Sequence, residues 1–383
     1  MNRWNCLFLL LLVGLAPMPG CADDIEPPSL PGLQVRELKS PLFTPTSPVS
    51  LVFQVGEQTN SLQLLFNQLG SDGLEPVKLV SPSGDVVLDV ENGIERNAGT
   101  VADRSMVLQI PTHPSEQVEP GPWIVTLLSD GEVLPEIHLI ERVSPVEESR
   151  VELSLRFLGL EGDENTPVPQ DLEAVIHEAS ELLTDGGGPR LSIEDSQWIS
   201  PEEGAPFQSI TEVGRYGGIE DLLYLAFPPG DRRLGVYIVR EISRAEGKGA
   251  VASWSGGIPG PVWSPTGERR GVILAIPDWE DIQVEDLGRH LAHSIAHYLG
   301  SEHTTEANGQ DLYGDSKAEL GQDALESTPV CPDSQDLDED LFLTWGECSG
   351  WDGNNLMFWN PLPISTELLP EQGEQMLLHP LVR

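Results

Sequence analysis

Lysine and arginine are scarce in this chain, 21 of its 383 residues against 62 aspartates and glutamates, for a formal net charge of −41. Phosphate backbones are held by clustered cations, so this scarcity excludes nucleic acid as a partner. Cysteine is limited to Cys6, Cys21, Cys331 and Cys348, too few for a disulfide-built scaffold at this length. The apolar run Leu7–Leu15 is too short to cross a bilayer as a permanent helix. The glycine-rich pieces "DGGGP" and "SGGIPGP" follow neither a P-loop nor a dinucleotide-fold pattern, so they read as loops and no nucleotide is expected. What is present is a hydrophobic fraction of 39%, enough for buried cores, over a length that suits two ordinary domains. The acidity favours solubility and cation binding.

The amino end, "MNRWNCLFLLLLVGLAPMPGC", has one arginine, an apolar run, then small residues and proline, which is the anatomy of a signal peptide over residues 1–21. "MPGC" resembles a bacterial lipobox, in which Cys21 would carry the lipid, although Pro19 departs from the usual pattern. An ordinary cleaved signal is the alternative. The lipobox implies an exported outer membrane lipoprotein on the periplasmic or cell-surface face, tied to the membrane through Cys21. Ala22 suits outer-membrane sorting by analogy with bacterial lipoproteins. In an oxidising compartment Cys331 and Cys348 are expected to pair, with two free thiols as the alternative.

Residues 22–48 are rich in proline and serine and read as a tether. Residues 49–147 carry short apolar or alternating runs, "SLVFQV", "LQLLF", "VKLVSPSGDVVLDV", "SMVLQIP", "PWIVTLL" and "IHLIERV", separated by turn residues. They predict an all-β sandwich. "SPSG" and "GPWIVTL" resemble jelly-roll-like accessory domains of secreted bacterial peptidases. Residues 150–383 change rhythm: a strand at "VELSLRFLGL", a helix with Leu172, Val175, Ile176, Ala179, Leu182 and Leu183 on one face, buried strands "LGVYIVREI" and "GVILAI", and a second helix from Val284 to Leu299. The expected fold is therefore multidomain, a β-sandwich followed by an α+β domain.

On that second helix His293 and His297 are four residues apart and share a face. Gly300 lets the chain leave the helix, and His303 can fold back as a third ligand. Three nitrogens with a fourth position open is the pattern of catalytic rather than structural zinc. These residues, His293-Ser-Ile-Ala-His297-Tyr-Leu-Gly300-Ser-Glu-His303, resemble the signature of the metzincin zinc peptidases, H-E-x-x-H-x-x-G-x-x-H, which is followed by a methionine turn. "NNLMFW" would supply that turn at Met357. "EHTTEANG" and the cysteine pair look most like pappalysin-type secreted bacterial members. The resemblance implies a zincin-type domain holding Zn2+ and acting on peptide bonds. His290 has no place in the signature and reads as a surface or supporting residue.

Ser294 departs from the pattern. It stands where the family has the glutamate that takes a proton from metal-bound water, and a hydroxyl is too weak a base for that near neutral pH. Losing a positioned base costs roughly 100- to 10,000-fold in rate. The expectation is an impaired enzyme, a pseudopeptidase that binds a peptide or protein. One alternative is an active peptidase using Glu302 or Glu306 as base. Another is a structural envelope lipoprotein with a relic metal site. Finally, Asp336, Asp338, Asp340 and Glu347 sit at positions 1, 3, 5 and 12 of an EF-hand-like spacing, although Leu341 replaces the turn glycine. Ca2+ is the ligand that spacing suits, and a solvated acidic loop is the other reading.

Overall fold

The computed structural model describes residues 30–45, 47–67, 69, 73–89, 99–101, 105–158, 160, 166–199, 201–212, 218–224, 232–244, 250–263, 270–306, 325–338 and 342–383. The leader with Cys21 lies outside them, as does Asp340.

Among the described residues the first half holds nine strands: β1 (Leu33–Leu38), β2 (Val49–Val55), β3 (Ser61–Asn67), β4 (Leu74–Val80), β5 (Val86–Asp89), β6 (Gly99–Val101), β7 (Ser105–Ile110), β8 (Gly121–Ser129) and β9 (Glu136–Arg142). They pair antiparallel in two sheets, ordered β1-β9-β3-β7-β6 and β2-β8-β4-β5. Alternation along each strand brings Phe53, Val55, Trp123 and Val125 of one sheet against Leu62, Leu64, Phe66 and Leu139 of the other, a sandwich core. The "SPSG" turn joins β4 to β5. There Gly84 takes φ +94° and its N–H donates to Ser81 O at 3.0 Å. Strand β1 corrects one expectation, because it lies inside the stretch read as a tether. Its run LQVREL is short and set among prolines, and it is pairing with β9 that makes it a strand.

The second half is built on a five-stranded sheet. Its strands are β10 (Arg150–Leu158), β11 (Arg190–Ile199), β13 (Leu234–Val239), β16 (Ser253–Ser255) and β17 (Val272–Ala275). A smaller sheet holds β12 (Ser209–Glu212), β14 (Glu241–Arg244) and β15 (Ala250–Val251). The large sheet runs β11-β10-β13-β17-β16, parallel except for the antiparallel edge strand β16. Both faces are covered at β13 and β17, whose runs LGVYIV and VILA are continuously apolar, whereas β10 alternates through Glu152, Ser154 and Arg156. Leu155, Phe157, Val236, Ile238, Val272 and Leu274 pack with helices α1 (Gln170–Asp185) and α2 (Val284–Tyr298). Tyr237, Val239, Ile273 and Ala275 pack on the other side with Ile210 and Ile242 of the small sheet. The two helices approach closely at Gly288, where a β-carbon would lie 2.6 Å from Glu178 Cγ. A further helix, α3 (Pro370–Leu377), precedes the final residues.

The halves share a seam. Leu65, Val107 and Ile140, on the outer face of the five-stranded sandwich sheet, join the core that contains Val262, Trp263 and Val382. Gln63 Nε2 donates to Gly260 O and its Oε1 accepts Val262 N–H, both at 2.9 Å. Arg142 donates to the carbonyls of Leu377 (2.9 Å) and His379 (3.1 Å), and Arg232 donates to those of Pro31 (2.6 Å) and Pro380 (2.7 Å). His379 is fully buried between them. Its Nδ1 accepts Leu381 N–H at 3.1 Å, which leaves Nε2–H to donate to Gly260 O at 2.9 Å.

Two outcomes follow from the seam. Arg142→Ala leaves the buried carbonyls without their donor and is expected to lower unfolding free energy by roughly 2–4 kcal/mol in a denaturant titration. Burial pushes the His379 imidazole down from 6.5 to about 3. Between those values the unfolded chain binds a proton that the folded chain refuses, so stability falls as pH drops through that window. In His379→Gln that part of the pH dependence should disappear.

Candidate metal centre

Helix α2 begins with Glu285 and Asp286 in its first turn, where carboxylates complement the helix dipole, and buries Leu287, Leu291, Ala292, Ile295 and Ala296. Its carboxyl end closes with two hydrogen bonds, Ser301 N–H to Ala296 O and Gly300 N–H to His297 O, each 2.9 Å. Gly300 takes φ +101°, the left-handed conformation such a cap requires. The reversal brings His303 back over the helix.

His293, His297 and His303 come together as the sequence reading expected of a ligand set. Their ligating atoms lie within 4.8 Å of one another. His303 Nε2 is 3.0 Å from His297 Nε2 and 3.4 Å from His293 Nε2. The three Nδ1 atoms face outward, each against an oxygen. His293 Nδ1 donates to Leu356 O at 2.7 Å, His297 Nδ1 to Ser301 O at 2.8 Å, and His303 Nδ1 to Glu306 Oε1 at 2.6 Å. With the proton fixed on Nδ1, each Nε2 presents a lone pair. Burial holds His293 down to about 3 and His297 well below the usual imidazole range, so neither becomes a cation near neutral pH.

Three acceptors aimed at one point have no hydrogen to share and fit a bound cation. A tetrahedral ion with nitrogen ligands at about 2.05 Å sets neighbouring nitrogens about 3.3 Å apart, and the two observed separations bracket that value. Outward Nδ1–H donation to a carbonyl or carboxylate is the arrangement that orients imidazole ligands around a metal.

Met357 is fully buried. The backbone of its turn holds both sides of the site: Leu356 O accepts His293 Nδ1–H, and Met357 O accepts Thr304 N–H at 3.0 Å. Asn355 fixes the turn. Its Oδ1 accepts Met357 N–H at 2.8 Å and its Nδ2 donates to Gln372 Oε1 of α3 at 2.9 Å.

Ser294 is buried, and its hydroxyl donates to Ser253 Oγ of the edge strand β16 at 2.7 Å. Ser253 Oγ donates in turn to His290 O at 2.8 Å. Both hydroxyl protons are committed. Ser253, Leu356 and Ser301 were not legible as functional positions in the sequence, since a serine in a short strand and two backbone carbonyls carry no signal there. Of the two carboxylates considered as a base, Glu306 is engaged with His303, while Glu302 is half-buried on the same corner.

Cys331 and Cys348 form a disulfide. Within the loop they close, Glu347 Oε1 accepts Leu337 N–H at 2.8 Å, and its Oε2 accepts Thr344 N–H at 2.9 Å and the Thr344 hydroxyl at 2.7 Å. These bonds hold its carboxyl below the usual range. Asp336 and Asp338 place an oxygen near that carboxylate, but both Glu347 oxygens already serve the loop's own backbone.

Glu306→Gln keeps the shape of the His303 acceptor but removes its charge, and is expected to weaken metal affinity by about 10- to 100-fold in a chelator competition titration. His303→Ala should abolish binding in the same titration. No protein-family model matches this chain, and no curated protein matches it. Among solved structures it is similar to metalloproteinase-II from Bacteroides fragilis, with 16% identity over 50% of this chain and a TM-score of 0.27. The chain spans 60% of that protein's length. A likeness this slight carries no functional argument.

Proposed function

We propose that this protein is an exported lipoprotein whose second half is a metzincin-type zinc site impaired as a peptidase and used to bind peptide or protein. The observation that carries the reading is the set of three imidazoles with every Nδ1–H directed at an oxygen and every Nε2 turned inward. Zinc is the ion proposed, because three neutral nitrogens and an open fourth position suit it. When bound, such an ion would polarise a carbonyl. The chain's own contribution is to hold three neutral ligands in place and to supply the Met357 turn.

What is missing is a base. A glutamate at position 294 would offer a carboxylate one residue from a ligand; Ser294 offers a hydroxyl whose proton is given to Ser253. Glu306 serves His303. The lipid anchor at Cys21, and with it a place on the outer membrane, rests on the leader sequence. Among the described residues no helix is long and apolar enough to cross a membrane. The acidic loop is proposed as a self-bonded loop rather than a calcium site, because Glu347 is committed to backbone donors.

Metal analysis after mild purification should find about one zinc per chain. Against a broad peptide library the wild type should be silent, and Ser294→Glu should gain chelator-sensitive cleavage. Cleavage by the wild type that falls in Glu302→Gln would sink the impaired reading in favour of a relocated base. A purified chain with no metal would leave only a relic site.

A further inference from the structure

Isolated apolar side chains on a surface need no explanation, but a cluster does. Eleven large hydrophobic residues are exposed among the described residues, and six of them, Val330, Leu337, Phe342, Trp345, Trp351 and Ile364, fall in one stretch of 35 positions around the disulfide. Leu337 is 74% exposed and Trp351 49%. These are not the side chains that build the local core, which is made of the disulfide with Leu343 and Phe358.

The fold brings Leu337 and Trp345 of the cluster towards each other. The Glu347 carboxylate accepts N–H groups from both Leu337 and Thr344, which draws Leu337 towards the segment that carries Trp345. Trp351 N–H donates to Cys348 O at 2.9 Å, one turn beyond the disulfide. This lobe joins the metal centre directly, for Cys331 N–H donates to the Thr305 hydroxyl at 2.9 Å, two residues after His303.

Charge selects among the occupants. From Val330 to Ile364 the chain has no lysine, arginine or histidine, while carboxylates such as Asp336, Asp338 and Glu347 are interleaved with the aromatics. Anionic lipid, nucleic acid and a second copy of a chain of net charge −41 would all be repelled. Indole faces attract cations, and tryptophans on an interface are where binding energy concentrates.

We infer that the disulfide lobe is a docking surface for a cationic, apolar polypeptide segment, with Trp345 and Trp351 as its anchors and Asp336 and Asp338 setting its charge preference. The inference stands apart from the metal site and holds whether or not that site cleaves or binds anything.

The test uses the intact protein and three labelled synthetic probes: an alternating Lys–Leu peptide, a Lys–Ser peptide of equal charge, and a Glu–Leu peptide. Fluorescence anisotropy should show binding of Lys–Leu that weakens with salt, weaker binding of Lys–Ser and none of Glu–Leu. The double variant Trp345→Ala with Trp351→Ala should lose about tenfold or more in affinity for Lys–Leu. Its circular dichroism spectrum and thermal unfolding midpoint should match the wild type, showing that the fold is kept. Asp338→Asn should flatten the salt dependence. Equal Lys–Leu binding by wild type and double variant would mean that overall acidity attracts the probe, and would overturn the proposal. So would an absence of Lys–Leu binding, or a preference for Glu–Leu.

Discussion

Three nitrogen lone pairs directed at one point repel one another, and the carboxyl-terminal half of this protein is arranged to hold them there. Each imidazole is turned by an oxygen on its far side, and the three oxygens come from different places: the turn before Met357, the cap of helix α2 and the side chain of Glu306. The helix alone places only two histidines. The Gly300 reversal supplies both the third ligand and the acceptor for the second. The Met357 turn holds the first ligand and the segment after the third, and is itself fixed by Asn355 and Gln372. An arrangement so convergent fits a cation at its centre, and the metal reading rests on hydrogen-bond direction more than on the spacing of histidines.

In the metzincin-type reading proposed above, a hydroxyl in place of a carboxylate at position 294 changes more than acidity. A carboxylate only accepts hydrogen bonds when ionised, whereas a serine both donates and accepts. Here the donated proton ties helix α2 to Ser253, and Ser253 ties the edge strand to the helix backbone at His290. Ser294 is thus part of the frame that joins helix α2 to the edge strand. That is consistent with a cleft proposed to bind rather than to cut.

The sandwich strands were legible because a half-buried strand repeats every two residues, and runs such as "SLVFQV" and "PWIVTLL" kept that period. The ligand histidines were legible because a helix fixes the geometry of a four-residue spacing and glycine marks its end. Strand β1 was not, since six residues among prolines become a strand only through a partner about 100 positions away. Ser253 was hidden for the same reason: its role comes from the edge strand crossing the helix, and no local pattern records that. The acidic loop had a calcium-like spacing, yet spacing could not reveal that Glu347 would turn to its own backbone.

The seam between the halves has a mechanical consequence. Arg142 on the sandwich donates to carbonyls of the last residues, Arg232 beside the mixed sheet donates to Pro31 O ahead of β1, and Gln63 reaches across to Gly260 and Val262. Opening the two halves like jaws would strip buried arginines of their acceptors. The proposed peptide or protein ligand would therefore be selected by complementarity of shape rather than by closure of the two halves.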